Sequence, residues 1–179
     1  HPASFKDPAG YVFEARGSVL RQVNKVYAGQ YQQLMQSGLY DRLTAEKKLL
    51  PHSELTENIT GDEDRYTTLL PEQLSFISYP YEWSFDELKD AALLTLSVLR
   101  TSIEYGMILK DATPFNIQFH KGRPVFIDTL SFDVYDPSKP WVAYRQFCET
   151  FLFPLYLEHY LKIDCIKLLS TYLTGIPVE

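Results

Sequence analysis

Hydrophobic and polar residues alternate between Tyr11 and Val23 on either side of Arg16-Gly17-Ser18. A period of two broken by a glycine turn predicts a β-hairpin. The period then lengthens: Tyr27, Tyr31, Leu34 and Met35 recur at helical spacing, and Gly38 is suited to the left-handed position that ends a helix. A shorter helix is expected from Asp41 through Leu49, closed by Pro51. Residues 52–64 (HSELTENITGDED) are polar and acidic and read as a mobile surface loop. Two short strands are expected at 66–70 and 74–79, before a connector at Tyr81-Glu82-Trp83.

The strongest helix signal follows. Ser84 and Glu87 form an S-x-x-E capping box, in which each side chain satisfies a backbone N–H that the first helical turn leaves unpaired. Leu88, Ala92, Leu96, Leu99 and Ile103 then mark an apolar stripe, and Gly106 stops it. Two further strands are expected at 117–119 and 125–127, joined by His120-Lys121-Gly122-Arg123. Residues 141–173 return to helix, with a kink or break expected at Pro154 and an N-cap at Asp164. This order predicts an α+β fold of two lobes. Residues 1–83 would form a reduced N-lobe of hairpin, helices and short strands, and residues 84–179 a mainly helical C-lobe.

Composition narrows the function classes. The chain has 179 residues, 45% of them hydrophobic, which suffices for one well-buried core. No run approaches the roughly 20 apolar residues of a membrane helix, and the first residues lack the basic head and apolar run of a secretion signal. A net charge of −6 without a basic cluster argues against nucleic acid. Cys148 and Cys165 lie in apolar helical patterns and read as buried thiols, which fits a cytoplasmic location. The absence of an initiator Met and the abrupt end at Glu179 suggest a piece of a longer chain.

Candidate chemistry lies between the long helix and the hairpin beyond it. Asp111 follows Met107-Ile108-Leu109-Lys110, Asn116 comes five residues later, and Asp128 follows the apolar run Pro124-Val125-Phe126-Ile127. Phosphoryl transfer needs a carboxylate near the attacking hydroxyl, here Asp111 as base or orienter. It also needs hard oxygen ligands for Mg²⁺, here Asn116 and Asp128. An Asp, an Asn five residues on, a hairpin and a second Asp after a strand is the order found in protein-kinase-like enzymes. Arg21 is the candidate phosphate-binding cation, Tyr81 the candidate adenine contact, and Lys110 a further candidate nucleotide contact, so Mg²⁺ and ATP are the cofactors considered.

Lys110-Asp111-Ala112-Thr113-Pro114-Phe115-Asn116 and Phe126-Ile127-Asp128 resemble the catalytic and metal loops of the aminoglycoside-phosphotransferase and lipopolysaccharide-kinase branch. Arg21-Gln22-Val23-Asn24, Ser37-Gly38-Leu39-Tyr40-Asp41 and the stretches 76–84, 89–96, 109–119, 124–132 and 140–147 also resemble the N-terminal region of bacterial proteins labelled class I S-adenosylmethionine-dependent methyltransferases. That resemblance implies a methyltransferase domain downstream. The eight glycines are all isolated, so no G-x-G loop offers a site for S-adenosylmethionine in these residues.

The nucleotide side departs from the kinase pattern. The first hairpin carries one turn glycine, Gly17, where a Gly-rich loop is expected. Arg21 stands where a Lys is expected, and Arg and Lys are not interchangeable. No Glu occurs between Lys25 and Leu43 to pair with that cation, and Asp128-Thr129-Leu130 replaces Asp-Phe-Gly, which suggests a fixed metal loop. Two functions follow as expectations. One is a catalytically silent kinase-like module that recognises a substrate or partner for an attached methyltransferase. The other is an active Mg-ATP-dependent phosphotransferase acting on a small, sugar-like hydroxyl substrate. A purely structural, dimer-forming domain is the third.

Overall fold

The computed structural model describes residues 7–177. Strands β1 (Gly10–Ala15) and β2 (Ser18–Asn24) form the expected hairpin. Arg16 (φ 55°) and Gly17 (φ 75°) are both left-handed, the geometry whose twist matches a two-residue hairpin. With β3 (His52–Leu55) and β4 (Arg65–Pro71) they make an antiparallel sheet in the order β1-β2-β4-β3. Its register sets Arg21 beside Leu69, and Leu69 beside Glu54.

The expectation of a mobile loop over 52–64 is therefore corrected. His52 and Glu54 are polar, yet they join the sheet because the buried helix residues Tyr31 and Tyr40 offer hydroxyl partners. Tyr31 Oη donates to Glu54 Oε1 at 2.7 Å, and Tyr40 Oη accepts from the His52 N–H at 2.8 Å. The remaining turn is tied to the other sheet face, where Asp62 Oδ2 accepts from Gln22 Nε2 at 2.8 Å. The strand expected at 74–79 does not form, since β3 takes the place beside β4. That segment is instead held by an amide clasp: the Ser78 N–H donates to Gln118 Oε1 and Gln118 Nε2 donates to the Ser78 carbonyl, each at 2.9 Å.

A 3₁₀ turn at Lys25–Tyr27 leads into α1 (Ala28–Gln36), which ends at left-handed Gly38 (φ 85°) as expected. Helix α2 (Leu39–Ala45) is shorter than the 41–49 expected. Leu49 forms an isolated bridge with Phe126, whose carbonyl accepts from the Leu50 N–H. Helix α3 (Phe85–Glu104) carries the capping box: Ser84 Oγ accepts from the Glu87 N–H, and Glu87 Oε2 accepts from the Ser84 N–H.

The buried stripe of α3 is rotated from the one expected. Leu88, Ala91, Thr95, Val98 and Ser102 face inward, whereas Leu96 and Ile103 are exposed. Hydroxyls can occupy the buried face because they bond back one turn, Thr95 to the Ala91 carbonyl and Ser102 to the Val98 carbonyl.

Beyond α3, β5 (Met107–Leu109) pairs with β8 (Phe132–Val134), and β6 (Ile117–His120) pairs with β7 (Arg123–Phe126) across Lys121-Gly122. The sequence reading assigned no strand at β5 or β8. Helices α4 (Tyr144–Phe147) and α5 (Phe153–Leu161) are joined without a break by a π-helical turn at Cys148–Leu152. The wider turn accommodates Pro154, which lacks an N–H, so the expected break is absent. Helix α6 (Cys165–Thr171) is capped by Asp164, whose Oδ1 accepts from the Ile166 N–H.

The fold is α+β, and its order of sheet, connector, long helix, hairpin and helices is the kinase-like order expected. Two packed clusters organise it. The larger gathers Leu34, Trp83, Leu88, Val98, Phe126 and Phe132 around α3. The smaller joins Val23, Tyr27, Tyr31 and Leu69 to Leu130, which reaches into it from the segment after β7.

Candidate functional site

Residues Lys110–Asn116 and 127–131 meet below the sheet because β5 and β8 pair, and because the β6–β7 hairpin turns the chain back on itself. The Lys110 N–H donates to the Ser131 carbonyl, and the Ile127 N–H to the Asn116 carbonyl, both at 2.8 Å. The two loops are thus stitched together through their backbones before any side chain is considered.

Asp128 is the hub. Its carboxylate forms an ion pair with Arg21, which arrives from β2 across the sheet–helix boundary, and both side chains are 16% exposed. Asp128 Oδ1 also accepts the Leu130 N–H at 2.9 Å, and Oδ2 accepts the Ser131 hydroxyl at 2.8 Å. Asn116 Nδ2 donates to Ser131 Oγ at 3.1 Å. Three of the candidate residues, Arg21, Asn116 and Asp128, are therefore brought into one hydrogen-bonded group, with Ser131 as the bridge.

The segment from Thr129 to Ser131 is a buried 3₁₀ turn. Leu130 sits 1% exposed in the smaller core cluster. Gly10 makes this approach possible, since a Cβ there would lie 2.0 Å from the Gln22 carbonyl oxygen and 2.9 Å from Leu130 Cδ1. Tyr27 closes the same region, donating its hydroxyl to the Phe132 carbonyl. Burial, then the charge of Asp128, pushes the Tyr27 phenol well above its ordinary range, so it acts as a fixed donor. The turn is thus held by the core, by Asp128 and by the backbone around it.

The other candidates lie around this group. Asp111 is half-buried, and its Oδ1 accepts the Thr113 N–H at 3.3 Å, an Asx turn. Its loop is braced from the far side: Trp141 Nε1 donates to the Leu109 carbonyl and Gln146 Oε1 accepts the Ala112 N–H, both at 2.7 Å. The Lys110 ammonium lies 4.7 Å from the centre of the Tyr27 ring, a cation–π contact. Tyr81 stacks on Tyr79 at the connector, with ring centres 5.3 Å apart and planes 4° from parallel. No hydrogen bond or ion pair links Lys110 or Tyr81 to Asp128 among the described residues.

Ser131, Leu130, Tyr27 and Gln146 were missed by sequence reasoning. Ser131 was within reach of it, because an Asp followed three residues later by Ser is a local side-chain pairing pattern. Leu130 and Tyr27 act through long-range packing, which no local pattern carries.

Does this donor set suit Mg²⁺? The ion takes about six oxygen ligands in octahedral array. Here three donors, one of them a guanidinium, already cover the Asp128 carboxylate. Among the described residues no group of three or more His, Cys, Asp or Glu side chains could hold a metal. In this arrangement Arg21 holds the carboxylate that would take Mg²⁺, so the ion would have to displace the guanidinium.

Near the group lies a second titratable cluster. His52 is largely buried: its Nε2 lies 3.1 Å from Tyr31 Oη, which already donates to Glu54 and so accepts here, and its Nδ1 has no partner among the described residues. Burial first, and then the positive charge of Arg21, pull its pKa down to about 4, against an opposing effect of Glu54.

No family model matches the chain. Over 178 residues it is 36% identical to the nodulation protein NoeA of Rhizobium meliloti (strain 1021), a match that covers 97% of this chain and 37% of that protein. The chain therefore spans little more than a third of the curated relative's length. Among solved structures, vaccinia related kinase 3 is similar with a TM-score of 0.46 at 16% identity, over 74% of this chain and 47% of that one. No helix among the described residues is long and apolar enough to cross a membrane.

Proposed function

We propose that these residues form a catalytically silent kinase-like module that recognises a substrate or partner for a methyltransferase domain of the same polypeptide. The observation that carries the reading is the Arg21–Asp128 ion pair. Arg21 would have to hold phosphate and Asp128 would have to hold Mg²⁺ in a working site, and here each occupies the other. The missing Glu in α1 supports it, because the cation of β2 then lacks a partner on the helix and takes the metal-loop carboxylate instead. The methyltransferase part rests on the sequence resemblance, and the relative's greater length leaves room for it.

Calorimetric and thermal-shift titration with Mg-ATP and Mg-GTP tests the reading. A ligand that binds only the folded state must raise its melting point. The expected outcome is no shift at millimolar nucleotide, and a saturable rise overturns the proposal. In the longest natural polypeptide carrying these residues, Asp128→Asn is expected to leave methyl transfer nearly unchanged.

One observation favours a second reading. Ser131 joins Asn116 and Asp128, the two residues that would share a metal in a phosphotransferase. In that case Asp111 would orient the hydroxyl of a small, sugar-like substrate, and Mg-ATP would stabilise the protein by drawing Arg21 away from Asp128.

A further inference from the structure

A helix packed on one side ordinarily turns its apolar residues inward and its polar residues to water. Helix α3 does not. Thr95, Thr101 and Ser102 are buried on its inner face, while Leu93, Leu96 and Ile103 stand outward, 58%, 40% and 38% exposed. These apolar residues and Arg100 recur at 93, 96, 100 and 103, the three-and-four spacing of a seam between paired helices. Charges flank the seam at both ends: Asp86, Lys89 and Asp90 before it and Glu104 after it, all exposed. Lys89 pairs with Asp86 within the helix, whereas Asp90, Arg100 and Glu104 make no salt bridge among the described residues.

We infer that this face of α3 pairs with the same face of a second copy of the chain, antiparallel and across a two-fold axis. The order of charges chooses this occupant, because the seam is its own complement when reversed. Lys89 and Glu104 each lie about 11 Å along the helix from the midpoint between Leu96 and Ser97. A two-fold axis through that midpoint sets Lys89 of each copy level with Glu104 of the other. It also brings Arg100 within one helical turn of the other copy's Asp90, and Leu96 against Leu96. The methylene stems of Lys89 and Arg100 then cover Ile103 and Leu93 across the pair. Opposed helix dipoles favour the same orientation, whereas a parallel pair in register would set Lys89 on Lys89 and Arg100 on Arg100. Three apolar side chains per copy make a small seam, so the association is reversible and depends on concentration. It holds whether or not the module is catalytically silent.

Sedimentation of the longest natural polypeptide carrying these residues tests this, at concentrations from micromolar to millimolar. A monomer–dimer equilibrium is expected, and Leu93→Glu combined with Leu96→Glu is expected to weaken it about tenfold or more. Both side chains are exposed, so circular dichroism and melting of that variant at low concentration should stay close to the parent's. Lys89→Glu or Glu104→Lys alone is expected to weaken the dimer about threefold to tenfold. The two together should restore it, since the exchanged charges again meet their opposites. The axis passes beside Leu96, so Leu96→Cys is expected to form an intermolecular disulfide faster than Val26→Cys, a position 70% exposed but outside α3. A monomer at every concentration overturns the inference, whether another domain covers α3 or nothing does. So does a dimer that keeps its affinity with glutamate at both leucine positions, or a cysteine at 96 that cross-links no faster than one at 26.

Discussion

Asp111 and Asp128 stand in nearly the same local setting. Each lies two residues beyond a short strand, β5 or β7, and each precedes a 3₁₀ turn. Each carboxylate accepts the N–H of the residue two further on, Thr113 or Leu130. What differs is everything that arrives from elsewhere. Asp128 receives Arg21 from the sheet and Ser131 from its own turn, and its neighbour Leu130 is sunk in the smaller core cluster. Asp111 has no further hydrogen bond or ion pair among the described residues. One aspartate is built into the contacts between sheet and helices, and the other has no such long-range partner among the described residues. The chemistry open to a carboxylate is thus decided by its long-range partners, and a shared local pattern does not predict a shared role.

The contrast can be broken most forcefully at Leu130. Leu130→Ala removes a side chain that is 1% exposed from the cluster joining sheet to helices. Truncations of this kind cost about 2–5 kcal/mol, and denaturant unfolding is expected to show a loss of about 3 kcal/mol or more. A loss below about 1 kcal/mol would mean that the Asp128 turn is not anchored in the core. Phe115, in the 3₁₀ turn after Asp111, is 39% exposed, so Phe115→Ala should cost far less.

Acid sharpens the same contrast, because His52 lies on the locked side. Its folded pKa, held near 4 by burial and by Arg21, is below the ordinary value near 6.5. The unfolded chain therefore binds a proton that the folded chain refuses. Stability contributed by neutral His52 is complete above about pH 6.5, declines as pH falls through the window down to about 4, and levels off below it. The full swing is up to about 3 kcal/mol, and His52→Gln is expected to flatten the pH profile across that window. A profile unchanged by the substitution would show that His52 is not buried in its neutral form.

Arg21→Ala is expected to cost about 2–3 kcal/mol, because it strands the Asp128 carboxylate at a site only partly open to water. A double-mutant cycle with Asp128→Ala should return a coupling of about 1–3 kcal/mol. Coupling near zero would reduce the pair to proximity without energetic content and would remove the main support for a silent module.

Much of this was legible in the chain. The hairpin at Arg16-Gly17, the capping box at Ser84 and the left-handed stop at Gly38 depend on contacts within a few residues, so their patterns survive in sequence. The strand at His52–Leu55 was not legible, because His52, Ser53 and Glu54 are polar and the strand is held by long-range bonds to Tyr31 and Tyr40. The stripe of α3 was misaligned for a related reason: Thr95 and Ser102 look polar but neutralise their hydroxyls within the helix. At the site, Asp111, Asn116 and Asp128 could be named from their spacing. That Arg21 pairs with Asp128 could not, since the two are 107 residues apart and only the fold brings them together. The absent Glu in α1 was the one hint that Arg21 needed another partner.

The smallest effect is expected at Asp111, and it is the most informative control. Asp111→Asn keeps an oxygen able to accept the Thr113 N–H, so the Asx turn persists and only charge is lost. With no cation paired to it, the substitution should alter stability by no more than about 0.5 kcal/mol. Asp111 and Arg21 share no side-chain partner, so Asp111→Asn combined with Arg21→Ala should give the sum of the two single effects to within about 0.5 kcal/mol. Non-additivity above about 1 kcal/mol would show that the two loops respond as one unit through the Lys110–Ser131 and Asn116–Ile127 backbone bonds. The contrast between a locked aspartate and one without long-range partners would then give way to a single coupled site.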